Sequence, residues 1–276
     1  MEGNAGKTFK LLGILAHPDD ESLGFGGTFA KYAAEGVETY LITATRGERG
    51  RNGLNGEHVD PAEVGCVREA ELRAAVAVLG IHELSILGFP DGSVDQVPAA
   101  TAIQTIVAHI RRIQPDVIVT FGPEGAYGHP DHIAISQFTT AAIVCAADND
   151  YRIEKGFPRL QAHRTAKLHY LAWRKNKWDA YQAALRKLVS TVDGVERQAQ
   201  PWPDWAVTTE IDTTAVWPIV WEAVCCHKSQ MSIYARLKDL TEKQQLSLWG
   251  SQEFYRAYSS VSGGRKSESD LFEGLR

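Results

Sequence analysis

Short apolar runs rich in Leu, Ile and Val alternate with segments of helical period through the first 173 residues. The runs fall at about 10–16, 38–44, 84–88, 116–121 and 167–173 and read as strands. Between them, small and apolar residues recur at three- and four-residue spacing over about 24–35, 61–79, 98–113 and 131–146, which predicts helices. Strand and helix alternating in this way imply βαβ units, hence an α/β fold with a mostly parallel sheet and helices on both faces. Beyond about Tyr181 the pattern is less regular. A strand is expected over 207–211, a helix over 215–227 and a closing helical region over 237–258. The polar, glycine-containing tail after Ser259 is expected to be mobile or to lie over the surface. The chain is expected to form one domain over 1–276, with an α/β core over 1–173 and a more variable portion over 174–276.

Composition narrows the classes of function. With 276 residues and 44% hydrophobic content, the chain builds a sizeable core without staples. A formal charge of −5 gives no basic footprint and argues against nucleic acid as a partner. The polar start, Met1 to Lys7, leads into an apolar run too short for a signal sequence or a membrane span, so a soluble cytoplasmic protein is expected. Cys66, Cys145, Cys225 and Cys226 have no C-x-x-C spacing and are expected to be buried free thiols.

Two polar motifs follow apolar runs. Ala16-His17-Pro18-Asp19-Asp20-Glu21 comes directly after the first, and Tyr127-Gly128-His129-Pro130-Asp131-His132 comes soon after the fourth. In an open parallel sheet, ligands gather outside the carboxyl ends of the strands, so both motifs would lie at one edge. They supply His, Asp and His for a metal ion, with a carboxylate and an imidazole to spare, which is the inventory of a hydrolytic metal site. Asp20 can turn back toward the ion held by His17, with Pro18 fixing one backbone angle of the turn. Asp19 is then free to take a proton. Taken alone, the acids of Pro-Asp-Asp-Glu would simply suit a helix N-terminus. Helix capping, however, does not require a matching His-Pro-Asp-His at a second strand end. Gly24-Phe25-Gly26-Gly27-Thr28 is a poor dinucleotide turn, because Phe29 stands where the last glycine is needed. Those glycines are expected to let the first helix pack close to the sheet or the metal loop.

On these motifs the chain resembles the LmbE/PIG-L family of zinc-dependent N-acetylglucosaminyl deacetylases, to which the mycothiol- and bacillithiol-pathway enzymes belong. The match continues through T-x-G-E at 45–48, V-R-x-x-E-L at 67–72 and H-K-S-Q at 227–230. The resemblance implies a Rossmann-like fold and removal of the acetyl group from an N-acetylglucosamine-type sugar conjugate. It implies His17, Asp20 and His132 as ligands of Zn2+, with Fe2+ or another divalent ion as alternatives, and Asp19 as general base. His129 becomes the general acid or an electrostatic stabiliser, and the hydroxyl of Tyr127 a further stabiliser of negative charge. Relatives of this kind assemble as trimers or hexamers, so a homo-oligomer is an expectation too.

Other residues carry two readings each. Asp131 either accepts a hydrogen bond from the ring of His129 or caps the helix starting near His132. By resemblance Arg68 and Asp91 hold sugar hydroxyls; otherwise Arg68 pairs with Glu69 or Glu71, and Asp91 is a turn residue. Glu48, with Arg46 and Arg49, belongs to a glycine-rich stretch to Gly56 that forms a loop over the pocket or a solvated loop. His227 reaches the site from the C-terminal part, or is an ordinary core or surface histidine. Trp202, Trp205, Trp217, Trp221 and Trp249 stack on a sugar or aglycone, or pack in the core or at a subunit interface. Two other classes compete with the hydrolase. A non-haem iron oxygenase also uses two histidines and a carboxylate, but leaves Asp19 without a task. A non-catalytic metal-binding protein would not need the base.

Overall fold

A computed structural model describes residues 7–50, 60–153, 160–185, 188–192, 194–261, 263–264 and 266–276. In chain order the elements are β1 (Lys10–Leu15), α1 (Asp20–Leu23), α2 (Gly26–Ala34), β2 (Glu38–Thr43), α3 (Pro61–Val78), β3 (Glu83–Ile86), α4 (Ala99–Ile113), β4 (Val117–Thr120), α5 (Gly125–Gly128) and α6 (Pro130–Ala147). After these come β5 (Lys167–Leu171), α7 (Lys175–Leu185), β6 (Ser190–Val192), β7 (Val195–Arg197), β8 (Thr209–Asp212), α8 (Trp217–Cys226), α9 (Glu242–Trp249) and β9 (Ser251–Ser259). The main sheet runs β3-β2-β1-β4-β5-β9-β8. Its first five strands are parallel, whereas β9 and β8 join antiparallel. β6 and β7 form a separate hairpin.

The alternation of apolar runs places all five parallel strands: β1 and β4 are apolar segments buried at the centre, whereas the edge strand β3, Glu-Leu-Ser-Ile, is half-buried throughout. Leu11, Leu12, Ile14 and Leu15 of β1 and Val117, Ile118 and Val119 of β4 are fully buried at the centre. Two groups of helices pack on this sheet: α4 lies against α6, and α8 lies against both α2 and α3. The chain leaves β1 toward β2 on one side and leaves β4 toward β5 on the other. The crevice between the carboxyl ends of β1 and β4 is therefore a topological switch point, where such sheets bind ligands.

The C-terminal part departs from the pattern. The region expected to close as helix over 237–258 holds the end of a 3-10 turn (Ala235–Asp239) and the short α9, and then β9 crosses the sheet between β5 and β8. Its sequence, Ser-Gln-Glu-Phe-Tyr-Arg-Ala-Tyr-Ser, has few apolar residues to mark a strand. The tail is not a loose surface segment either. Leu271 and Phe272 are fully buried, and Glu268 is buried against Lys167 and Arg256. The glycines at the start of α2 serve this same part of the chain: a Cβ on Gly27 would lie 2.8 Å from Thr213, and one on Gly26 would lie 3.1 Å from Val220 of α8. All four cysteines are unpaired as expected, but none is buried; Cys66 is exposed and the others are half-buried.

Candidate active site

The β1 exit makes one tight turn. Asp20 folds its carboxylate back over that turn, so that Oδ2 accepts the backbone N–H of His17 at 2.7 Å and of Ala16 at 3.3 Å. Its other oxygen, Oδ1, faces Nε2 of His132 at 3.3 Å. His132 comes from the first turn of α6 and lies flat on Phe121, with ring centroids 3.9 Å apart. Nδ1 of His17 completes the triangle, 3.2 Å from His132 Nε2 and 3.6 Å from Asp20 Oδ2. A tetrahedral ion with bonds of about 2.0–2.2 Å holds its ligand atoms about 3.3 Å apart, so the three groups fit one ion. The two facing imidazole nitrogens can share one proton in the right tautomers or, with neither protonated, face a common cation. His17, His129 and His132 bring ring nitrogens within 4.8 Å of one another as well. Nδ1 of His129, however, is taken by the backbone N–H of Asp131 at 3.2 Å, which makes His17, Asp20 and His132 the tighter set.

The other nitrogen of His17 is held by carboxylates. Nε2 lies 3.0 Å from Asp131 Oδ2 and 3.1 Å from Asp91 Oδ1. This corrects both expectations for Asp131. Its carboxylate orients His17, not His129, and it is itself fixed by the backbone N–H groups of Gly92 (2.7 Å) and Val94 (3.0 Å). The residue that caps α6 is His129, with Pro130 starting the helix. Asp91 is correspondingly aimed at His17, and its second oxygen accepts the N–H of Arg49 at 2.8 Å. Burial opposes charge on His17, but hydrogen bonds to Asp131, Asp20 and Asp91 outweigh it and raise its pKa well above the ordinary value. Burial likewise disfavours the Asp91 carboxylate, yet its bond to His17 holds the pKa down at about 2. Carboxylates outnumber imidazoles here, a charge balance that favours a bound cation.

Asp19 lines the same cavity but is held by other partners. Arg68 Nη2 donates to its Oδ2 at 2.9 Å, and the Tyr234 hydroxyl donates to the same oxygen at 2.6 Å. Arg68 also donates to the carbonyls of Pro18 at 2.5 Å and Gly47 at 2.9 Å, and it pairs with neither Glu69 nor Glu71. Burial raises the Asp19 pKa, opposed mainly by Arg68. Tyr234 carries no sequence signal, since an isolated tyrosine in an irregular stretch reads as packing. Glu48 and His227, expected to contact substrate, do not line the cavity. Glu48 Oε1 accepts the backbone N–H of Asp91 at 2.9 Å and so braces that loop. His227 is fully buried, 2.7 Å from Glu21. The stretch 51–56 of the glycine-rich loop lies outside the described residues.

A cavity of about 470 Å³ opens on these groups. His129, Tyr127, Arg68 and Asp91 line it on the polar side; Trp173, Leu185, Leu188 and Ile233 are among the residues of the apolar side. None of the five tryptophans singled out from the sequence lines it: Trp249 is buried and stacks on Trp221, Trp202 bonds to Glu124, and Trp205 is 75% exposed. Burial, reinforced by His132 and His17, lowers the His129 pKa to about 3. The ring is therefore neutral, and with Nδ1 accepting from Asp131 its proton resides on Nε2. Burial also raises the Tyr127 pKa, so the phenol keeps its proton. Among the described residues, no helix is long and apolar enough to cross a membrane.

A mostly parallel sheet with two His-Pro-Asp motifs converging at its switch point defines a hydrolase-type metal site. The pattern of the PIG-L family, described as GlcNAc-PI de-N-acetylase, matches residues 12–143. The chain is 32% identical over 302 residues to the 1D-myo-inositol 2-acetamido-2-deoxy-alpha-D-glucopyranoside deacetylase of Rhodococcus jostii, covering 96% of this chain and 98% of that one. It is 32% identical to the enzyme of the same name from Kineococcus radiotolerans, covering 96% and 83%. The chain belongs to the PIG-L family of deacetylases. Among solved structures, the N,N'-diacetylchitobiose deacetylase from Pyrococcus horikoshii shares the fold, with a TM-score of 0.66 at 18% identity over 90% of this chain and 83% of that one.

Proposed function

We propose that this protein is a zinc-dependent hydrolase that removes the acetyl group from a small N-acetylglucosamine-type conjugate, with an inositol glycoside as the first candidate. The observation that carries the reading is the juxtaposition of two sets: the His17, Asp20 and His132 triangle, and a buried Asp19 with one oxygen held by Arg68 and Tyr234. The names of the curated relatives support the choice of substrate. The family assignment disfavours the oxygenase reading. Two imidazoles and one carboxylate suit zinc and also iron(II), so metal identity is part of the proposal.

His17 Nδ1, Asp20 and His132 Nε2 would hold the ion. Bound there, it supplies Lewis acidity, polarising the amide carbonyl and lowering the pKa of water to about 7. Asp19 acts as general base through Oδ1, because both donors occupy Oδ2. It takes a proton from the attacking water, the new C–O bond forms, and negative charge develops on the former carbonyl oxygen. Neutral His129 donates its Nε2–H to that oxygen, assisted by the Tyr127 hydroxyl, each such donor being worth about 3 kcal/mol. The C–N bond then breaks, and the proton held by Asp19 passes to the leaving amine. Products are acetate and the free glucosaminide.

The test couples metal analysis to acetate release. About one zinc per chain, with acetate released from N-acetylglucosaminyl inositol, is expected; Asp19→Asn should keep the metal and lose turnover, whereas His132→Ala should lose both. Full turnover by metal-free protein would overturn the reading. The proposal places this activity in the cytoplasm, consistent with four unpaired cysteines.

A further inference from the structure

Asp19 stands at φ 106° and ψ −25°, a left-handed conformation that residues other than glycine rarely adopt. Its backbone N–H donates to Glu21 Oε2 at 2.9 Å. The second oxygen of Glu21 accepts from Ser22 Oγ at 2.6 Å and lies 2.7 Å from His227 Nε2. Glu21 and His227 are both fully buried and neither lines the cavity. His227 closes α8, and two residues later Ser229 donates its N–H and its hydroxyl to Glu71 of α3, each at 2.7 Å. The pair is thus anchored on two helices far from α1 in sequence.

Stability alone does not call for such a pair, because well-packed apolar residues of similar volume serve as well or better than a buried ion pair. What apolar residues cannot do is accept the N–H of Asp19. We propose that Glu21 and His227 form a positioning pair for Asp19: His227 orients the Glu21 carboxylate, and Glu21 holds residue 19 in its left-handed conformation. Oδ1 of Asp19 thereby faces the reacting water. The inference rests on the assignment of Asp19 as general base.

The experiment uses Glu21→Leu, His227→Leu, the double leucine variant and Glu21→Gln. Each single leucine variant should lower kcat by about 10- to 100-fold, the usual loss for a group that orients a site residue, with KM and bound zinc unchanged. The double variant should regain melting temperature but not kcat, since no acceptor returns. Glu21→Gln keeps an amide oxygen for the N–H and should retain most of kcat. In a crystal structure of the double variant, residue 19 should have left positive φ. Recovery of both melting temperature and kcat in the double variant, or residue 19 still near its original φ there, would overturn the proposal. If wild-type protein releases no acetate from any N-acetylglucosaminide, the deacetylase reading fails. The crystal structure still decides whether the pair holds residue 19.

Discussion

Arg68 Nη2 lies 2.9 Å from Asp19 Oδ2, with both side chains buried. The fork of one guanidinium spans the Pro18 carbonyl, the Gly47 carbonyl and the Asp19 carboxylate, a combination that a lysine ammonium on a flexible stem does not reproduce. Arg68→Lys should therefore lower kcat roughly 100-fold, the scale expected when a reacting group is misplaced by about 1 Å. KM should change little. Steady-state kinetics decide the matter: a raised KM with kcat preserved would return Arg68 to the sugar-binding role expected from the sequence.

The nitrogens of His17 and His132 sit 3.2 Å apart beside Asp20, so on the proposed reading an ion would bind the native state and not the unfolded chain. Zinc at 100 times its Kd should stabilise the protein by about 2.7 kcal/mol. For a chain of this size that is a rise of several degrees in Tm, at about 2–4 °C per kcal/mol. Differential scanning calorimetry with and without zinc should show the rise in wild type and lose it in His132→Ala. An equal rise in that variant would place the ion elsewhere.

Legibility followed the number of independent signals each element carries. β1 to β5 and the main helices were readable because the central strands of a parallel sheet carry apolar runs, and the paired His-Pro-Asp motifs named His17, Asp20 and His132, which the fold brings together. β9 was not, since a half-buried antiparallel strand with Gln252, Glu253 and Arg256 among its residues looks polar. Roles that depend on direction were also hidden. Spacing places Asp131 next to His129, yet only the fold shows its carboxylate turned toward His17. Arg68 lines the cavity while holding Asp19, whereas Glu48 and His227, expected at the substrate, lie off it against Asp91 and Glu21, partners distant in sequence. Tyr234 was missed for the same reason.

The tail shows how little local polarity says about docking. Phe272 is fully buried, with its ring centroid 5.2 Å from that of Tyr32 and 5.3 Å from that of Phe9. The Tyr32 hydroxyl accepts the N–H of Leu271 at 2.7 Å and donates to Asp270 at 2.9 Å. Phe272→Ala should destabilise the protein by about 3–5 kcal/mol, as expected for an aromatic removed from a packed core. Urea unfolding measures this directly. A loss under about 0.5 kcal/mol, typical of surface substitutions, would show that the tail does not dock this way in solution.

His227 gives stability a pH dependence of definite sign. Burial opposes its charge, but Glu21 outweighs burial and raises the folded-state pKa above the ordinary value. Unfolded, the ring titrates near about 6.5. The folded state thus binds the proton more tightly, so the stabilisation is fully present below about pH 6.5 and is lost as pH rises through the raised folded value. His227→Gln removes the titration while keeping a hydrogen-bond donor toward Glu21. The stability gap between wild type and this variant, taken from urea midpoints, should be widest near pH 6 and narrow steadily toward about pH 9. A gap that stays constant across this range would mean that His227 pairs with Glu21 as a neutral ring, and one that widens would reverse the sign of the coupling.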